Sequence, residues 1–497
     1  MTDHKHYHPL IILFEIVSMI KGSIIFIIYL FVINFNSDST FIKYGKWALI
    51  VSLLISVFYY IVFWFSSTYK LDETSFHIHK GVFTKSKQTI PYTKVQNVNR
   101  HRTILHKIFK VTSLKFETAM SGSESAVEFK VISLAEAEKL EQFIKSFKEN
   151  KNDLVTNEET VVENEQIINR KTIHFTPTKK DIVKASFTSL SFLVLIPVLG
   201  TIYNYANDIF NIEDDAKGLF LQFITSVWVI AIVGTIFIII AVVVGMIYTF
   251  IKYGKYEISS DDERIYITKG YIEETAFAIS KAKVQAIEVK QTIMKRLLGL
   301  AEVKLISAGN ATLDSENLQV NTLYPFLPVK RAYEMVSEIL PSYEVTETMN
   351  LLPKKALWLR ILAPSWIWII VTGLLAYFQP EVFHIETAWI ILSVLLLIFV
   401  TIYRYLEYKH TRYVLNGQFI QFKSGYFTTT LFLSKREKII EAAVVRNVLQ
   451  KKLGLSSIQT VNRGKPVHHA QIKDIPFDEA VSFYRWYLER GKEVEIK

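Results

Sequence analysis

One spacing pattern occurs three times in this chain of 497 residues, and it restricts the architecture more than any other feature. At the same distance beyond Gly81, Gly270 and Gly425 stand Val95, Val284 and Ile439. Farther on, again in step, come Leu105, Met294 and Leu449, then Val111, Leu300 and Leu455. No gap interrupts the match. Unrelated segments do not keep apolar positions aligned over such a length, so these are copies of one structural unit. The fullest copy, Lys283–Gly309, reads as a strand, a short turn carrying Lys295 and Arg296, and Leu298-Gly299-Leu300 leading into a second strand. Gly299 and Gly454 are expected to serve a tight turn in which a side chain would clash.

Half of the residues are hydrophobic although 21% are charged, and the apolar excess is concentrated in six blocks. These are Leu10–Ile33, Trp47–Phe65, Phe187–Tyr205, Leu219–Phe250, Ala356–Phe378 and Ala388–Leu406. At 1.5 Å per residue each is long enough for a hydrocarbon layer of about 30 Å. They come in pairs, and each pair precedes one repeat. The expected fold class is therefore an α+β membrane protein: three transmembrane helical hairpins, six spans in all, each followed by an antiparallel β-barrel or sandwich with a C-terminal helix. The boundaries read as a hairpin over residues 1–66 and a β-domain over 67–150, then a polar, acidic linker over 151–180. A second hairpin spans 181–252 and its domain 253–345; the third pair spans 354–408 and 409–497.

Local signals fill in the units. Ser133-Leu134-Ala135-Glu136 is a capping-box pattern opening a helix whose apolar face carries Leu140, Phe143 and Ile144. Asp261-Asp262 predicts a turn, while Pro328 and Pro476 predict the starts of the other two terminal helices. Pro364 is expected to kink the fifth span. Tyr59, Tyr60, Trp64 and Tyr69 are expected to form an aromatic belt at the end of the second. Met1–Pro9, with His4, His6 and His8, is read as a frayed polar terminus.

Charge sets the orientation. The loop Asn207–Lys217 is acidic, and the loop with Glu381, His384 and Glu386 has no lysine or arginine. Lys252, Lys255, Lys354, Lys355, Arg360, Arg404, Lys409 and Arg412 flank the opposite ends, and only the first loop, with Asp38, Lys43 and Lys46, is balanced. The positive-inside rule places both termini and all three β-domains in the cytoplasm. The net charge of +10 fits surfaces facing anionic lipid rather than nucleic acid.

A basic residue recurs at one position of every copy: Lys107, Arg296 and Lys451. With the richer clusters Arg100, Arg102, Lys110 and Lys435, Arg436, Lys438 it makes a candidate site for lipid phosphates or a partner's carboxylates. Glu15 and Lys21, inside the first apolar block, are candidate intramembrane polar groups. His77 and His79 share a strand face, and without a third ligand they are read as surface residues. The absence of cysteine excludes disulfides and thiolate chemistry. No phosphate-cradling glycine loop, nucleophile elbow or zincin pattern is present, so no catalytic residue, cofactor or metal is expected.

The Lys283-Val284-Gln285 start, the Leu298-Gly299-Leu300 step and the strand Val303–Gly309 resemble the bacterial membrane-flanked pleckstrin-homology-like domain family. The third copy keeps Leu453-Gly454-Leu455 but has Ile439-Ile440, and the first keeps Lys94-Val95-Gln96 but has Lys110 in place of the glycine. The resemblance implies a partly open barrel of about seven strands plugged by a helix. It also implies hetero-assembly with a shorter single-domain relative. The function expected is a scaffold in the bacterial cell membrane presenting three domains to lipid or protein partners, with a role in envelope homeostasis or tolerance of membrane-damaging agents. The alternative is a six-span transporter or channel.

Overall fold

A computed structural model describes residues 5–35, 37, 39–72, 74–118, 126–153, 171–188, 227–308, 322–380, 387–464 and 466–489. The third apolar block beyond residue 188, the loops Asn207–Lys217 and Glu381–Glu386, and most of the linker 151–180 lie outside them.

Each repeat supplies seven strands. The first has β1 (Lys5–His6), β2 (Thr68–Leu71), β3 (Ser75–Lys80), β4 (Ser86–Pro91), β5 (Val95–Arg102), β6 (Val111–Thr118) and β7 (Ala126–Ser133). The second has β8 (Thr172–Phe175), β9 (Glu257–Ser260), β10 (Arg264–Lys269), β11 (Glu274–Ser280), β12 (Val284–Gln291), β13 (Leu300–Ser307) and β14 (Thr322–Pro328). The third has β15 (Asn350–Leu351), β16 (Arg412–Asn416), β17 (Phe419–Gly425), β18 (Thr429–Lys435), β19 (Ile439–Val445), β20 (Leu455–Asn462) and β21 (His468–Pro476). Helices Leu134–Asp153, Val329–Ile339 and Phe477–Leu488 follow.

The first strand of each set lies before the apolar hairpin, not after it. Lys5 pairs with Tyr69, Thr172 with Ser260 and Asn350 with Tyr413. Of the stretch read as a frayed terminus, residues 1–4 with His4 lie outside the described residues, whereas Lys5–His6 adds a strand to β2, Tyr7 is buried, and Trp64 Nε1 donates to the Tyr7 carbonyl at 2.7 Å. Strand β8 likewise falls inside the stretch read as a linker.

The chain divides into two compact units, Met1–Arg170 with Tyr266–Ala278, and Lys171–Ile265 with Ile279–Lys497. In the first, β1–β4 form one antiparallel sheet. Strand β5 pairs with β6 on one side and with Glu274–Ala276 of β11 on the other. The core gathers Phe76, Leu114, Phe116, Phe129 and Leu140, with Tyr7 and Ile11 joining from the N-terminal segment. Tyr69, expected in an interfacial belt, instead belongs to this core, and its hydroxyl donates to Glu136 at 2.6 Å. Ser133 Oγ accepts the Glu136 N–H at 3.3 Å, as the capping pattern predicts.

In the second unit a seven-stranded antiparallel sheet runs β14-β13-β12-β18-β17-β16-β15, and β19-β20-β21 form a separate sheet. Alternation along the strands explains the burial: Ile287 and Val289 on one face of β12 sit level with Leu433 and Leu431 of β18. The Asp261 carboxylate accepts the N–H groups of Glu263 and Arg264 at 2.9 and 2.7 Å, making the predicted turn.

Four described helices are long and apolar enough to cross a membrane: Ile11–Ile33, Thr40–Ser66, Lys354–Phe378 and Ala388–His410. A fifth helix, Val227–Tyr253, has 27 residues with one charge, Lys252. Large apolar side chains such as Ile25, Phe41 and Phe58 point outward, as they do on a helix solvated by lipid. The kink at Pro364 is a full break between helices Lys354–Leu362 and Trp366–Phe378.

Candidate functional site

The recurring cations stand on short helices, Ile104–Ile108, Ile293–Leu297 and Val448–Leu453, rather than on an irregular turn. The cause is an N-cap at a fixed position: Thr103, Thr292 and Asn447. Thr292 Oγ1 accepts the Lys295 N–H at 3.4 Å and Asn447 Oδ1 the Gln450 N–H at 2.7 Å, while Thr103 and His106 form a reciprocal box. The first backbone donors of a helix have no partner within it, so these caps convert the turn into a helix.

The third residue of each short helix is polar and buried: His106, Lys295 and Gln450. His106 Nε2 donates to the Lys130 carbonyl at 2.9 Å, and burial keeps its imidazole below the usual histidine range. Lys295 Nζ donates to Glu302 at 2.8 Å. Burial pulls the Lys295 ammonium below its ordinary value, and Glu302 restores it only in part. Burial pushes the Glu302 carboxyl up, but Lys295, Lys304 and Lys290 together outweigh it and hold the group below the carboxylate range. Gln450 Nε2 donates to Ser457 and to Asp474, both at 2.8 Å. Sequence reasoning missed this position, although a Thr or Asn three residues before it signals an N-cap.

Outward, the same helices expose apolar side chains: Ile108 is 64% exposed, Leu297 75% and Val448 73%. Each lies beside its own apolar hairpin. The ring centroids of Phe14 and His106 are 4.2 Å apart, helix Lys179–Thr188 touches Ile293–Leu297, and Lys354–Leu362 touches Val448–Leu453. Exposed apolar groups interleaved with cations at the end of a spanning helix suit the headgroup layer.

Two of the three recurring cations are engaged by the hairpin of the following repeat. Lys107 Nζ donates to the Tyr271 carbonyl at 2.8 Å and lies 3.7 Å from Glu274. Arg296 donates to Thr429 Oγ1 at 2.9 Å and meets His410 at 3.3 Å. Lys451 is exposed, and its side chain has no partner among the described residues. Arg100 holds Glu141 through two contacts, at 3.2 and 2.9 Å, and Arg102 stands opposite Glu274 in the strand register. Arg436 is buried, donating to the Trp486 carbonyl at 3.0 Å, and Lys435 lies over the Tyr343 ring at 5.1 Å. Lys438 lies 3.6 Å from Glu437, and Lys110 is exposed. Within each unit, most of the candidate cations are thus engaged singly by separate neighbours.

Glu15 pairs with Lys130 of β7 at 2.6 Å, so it sits at the barrel end of its helix and ties the two together. Lys21 lies exposed, about 1.7 turns farther along. In the second unit Arg360, from the first half of the broken span, makes a buried pair with Asp474 at 2.8 Å and donates to Thr411 Oγ1 at 3.1 Å. His77 Nε2 is 2.6 Å from Asp72, and its Nδ1 is 2.8 Å from Thr89. A cavity of about 390 Å³ in the first unit is lined by Lys5, Tyr7, Trp64, Tyr69, Phe129 and Glu136; Lys5 and Tyr69 bond Glu136, while the buried Tyr7 hydroxyl has no partner among the described residues.

The bacterial PH domain family matches residues 21–148, 218–342 and 362–491, one stretch for each repeat. Over 501 aligned residues the chain is 26% identical to the UPF0699 transmembrane protein YdbT of Bacillus subtilis (strain 168), with 98% of each chain covered. No solved structure matches the chain. With three such stretches and four helices of spanning length, the chain belongs to the bacterial PH domain family, as a membrane protein that carries the domain three times.

Proposed function

We propose that the chain is a non-enzymatic scaffold of the bacterial cell membrane, with six spans and three PH-like domains on the cytoplasmic side, docking anionic lipid and protein partners. The observation that carries this reading is the short helix that each barrel sets beside its hairpin, with exposed apolar side chains and a cation on one tip. Strand pairing supports the span number. Each apolar segment leaves one strand and returns to its immediate neighbour, as at Thr172↔Ser260, so the chain between crosses the bilayer an even number of times. The lysines and arginines at the barrel ends of the helices favour the cytoplasmic side. Pairing of Glu15 with Lys130 gives that carboxylate a structural role in place of one in a transport path. A role in envelope homeostasis or tolerance of membrane-damaging agents follows from such a location.

The test uses the full chain in nanodiscs containing a photoreactive anionic lipid. Labelling should fall on the short helices and drop with Lys110→Glu and Lys451→Glu, whose targets are exposed cations beside those helices. Labelling unchanged by both would remove the lipid half of the proposal. For the protein half, in-cell crosslinking from the exposed Phe83 and Val467 positions should recover defined partners. Solute flux through proteoliposomes that Glu15→Gln or Lys21→Met abolishes would replace the scaffold with a transporter.

A further inference from the structure

Consecutive repeats exchange strands by one rule. Ala276, six residues beyond Gly270, stands opposite Arg100, nineteen beyond Gly81. Leu431, six beyond Gly425, stands opposite Val289, nineteen beyond Gly270. The same edge of the same strand thus receives the following repeat's hairpin in an identical register, both times. The recurring cation then locks the hairpin at the fourth residue beyond its glycine: Lys107 at Glu274, Arg296 at Thr429. The third repeat has the same receiving edge, and among the described residues no hairpin fills it. Among the described residues β19 pairs only with β20. Ala286, buried in β12, corresponds to exposed Glu441 in β19, and Val445 is 46% exposed.

We infer that β19 is a docking edge for a strand of another protein, built like β11 and β18. The partner strand carries alternate apolar side chains and, two residues ahead of the first of them, an acidic or hydroxyl group that bonds Lys451. The inference rests on the docking role proposed above and names its surface. Three arguments fix the occupant. Open strand edges are templates for pairing, and β19 lacks the lysines or prolines that blunt such edges. The inner face of β19 offers Ala442 and Val444, which pack against the barrel core and call for apolar neighbours, as Leu433 and Leu431 are for Ile287 and Val289. Strand β4, the first repeat's counterpart of β11 and β18 and an edge strand among the described residues, is the wrong complement. It would bring Lys87 and Thr89 to those apolar positions and Lys85 to Lys451 and Arg446. Like charges and a lysine on the core face reject a second copy.

The test is trapping in the full chain, which has no native cysteine to interfere. The probe is a synthetic peptide with residues 427–437 of this chain, the β18 strand. With Ala443→Cys in the protein and Phe432→Cys in the peptide, the register places the two directly opposite, and a disulfide should form under mild oxidation. Moving the peptide cysteine to Thr430 should abolish it. Leu431→Lys with Leu433→Lys in the peptide should weaken binding at least roughly tenfold, since two leucines lose their apolar burial. Thr429→Glu should strengthen binding, and Lys451→Glu in the protein should reverse that gain. Maleimide labelling of the Ala443→Cys protein, with an unchanged melting profile, verifies that the edge is intact. Trapping by a peptide of residues 84–93, the β4 strand, at equal or greater strength would overturn the inference in favour of a second copy. Trapping by neither peptide would overturn it outright. Partners recovered in cells through Phe83 or Val467 in either case keep the scaffold reading and move its surface elsewhere.

Discussion

At the scale of single residues, the position between the short helix and the next strand has a simple physical logic. Lys110, Gly299 and Gly454 all adopt left-handed backbone, with φ of 53°, 67° and 70°. A Cβ added to either glycine would meet nothing within 4 Å, so the sign of φ selects glycine here, not the clash that the sequence suggested. Lysine in that conformation costs about 1 kcal/mol, part of which is offset by the freedom glycine has when unfolded. Lys110→Gly should therefore stabilise the first barrel slightly, and Gly454→Ala should destabilise the third by about 1 kcal/mol. Hydrogen exchange of β6 and β20 measures both. The buried Lys295–Glu302 pair has larger stakes. Lys295→Met leaves the Glu302 carboxylate, at 19% side-chain exposure, with only the looser Lys304 pair at 3.6 Å and should cost up to about 3 kcal/mol, whereas Lys295→Met with Glu302→Leu should cost far less. Glu302 is held below its unfolded value, so its contribution is present above about pH 4.3 and lost as pH falls through the lower folded value. An acid titration of second-barrel stability should show that loss in the parent chain and not in the double variant.

At the scale of elements, the broken span shows how charge can serve a helix end. Interruption at Pro364 frees carbonyls, and Arg404 on the neighbouring helix donates to those of Arg360, Ile361, Ala363 and Pro364. Arg404→Leu should expose these groups and cost about 1–3 kcal/mol, seen as protease nicking or faster exchange at Ile361–Ser365; Arg404→Lys should rescue only in part. Lys46 plays a similar part in the first hairpin, donating to the Asn34 and Phe35 carbonyls at 3.0 and 2.9 Å. That use explains why the first loop looked balanced in charge: the lysine there closes a helix. The repeats, four of the spans and the terminal helices were legible because each rests on local periodicity or a local cap. The first strands β1, β8 and β15 were not, because two to four residues carry no period and their partners lie across a whole hairpin. The exchange of strands between repeats was hidden for the same reason. Pairing register is set by side chains far apart in sequence. The cations Lys107 and Arg296 stood out by recurrence, yet the same recurrence carried no sign that the next repeat would occupy them.

At the scale of the whole molecule, each barrel grips its hairpin from both ends, one strand before the spans and the next strand after. Such a unit cannot place its barrel on the opposite side of the bilayer from its neighbours without an odd crossing somewhere. The orientation proposed above puts that side in the cytoplasm, on the ground that Lys252, Arg360, Arg404 and Lys409 stand at the barrel ends of the helices. The lack of cysteine makes this directly measurable. Single cysteines at Phe83, Glu273 and Val467 sit on exposed positions of the first, second and third repeats, while Ser37 and Gln379 lie at the far ends of the first and third hairpins. In intact cells a membrane-impermeant maleimide should label Ser37→Cys and Gln379→Cys and leave the three barrel positions untouched; permeabilisation should open all five. A single barrel labelled from outside would mean an odd number of crossings between its strands and the next. That result would contradict the pairing of β5 with β11 or of β12 with β18, because two neighbouring strands of one sheet cannot lie on opposite faces of a bilayer.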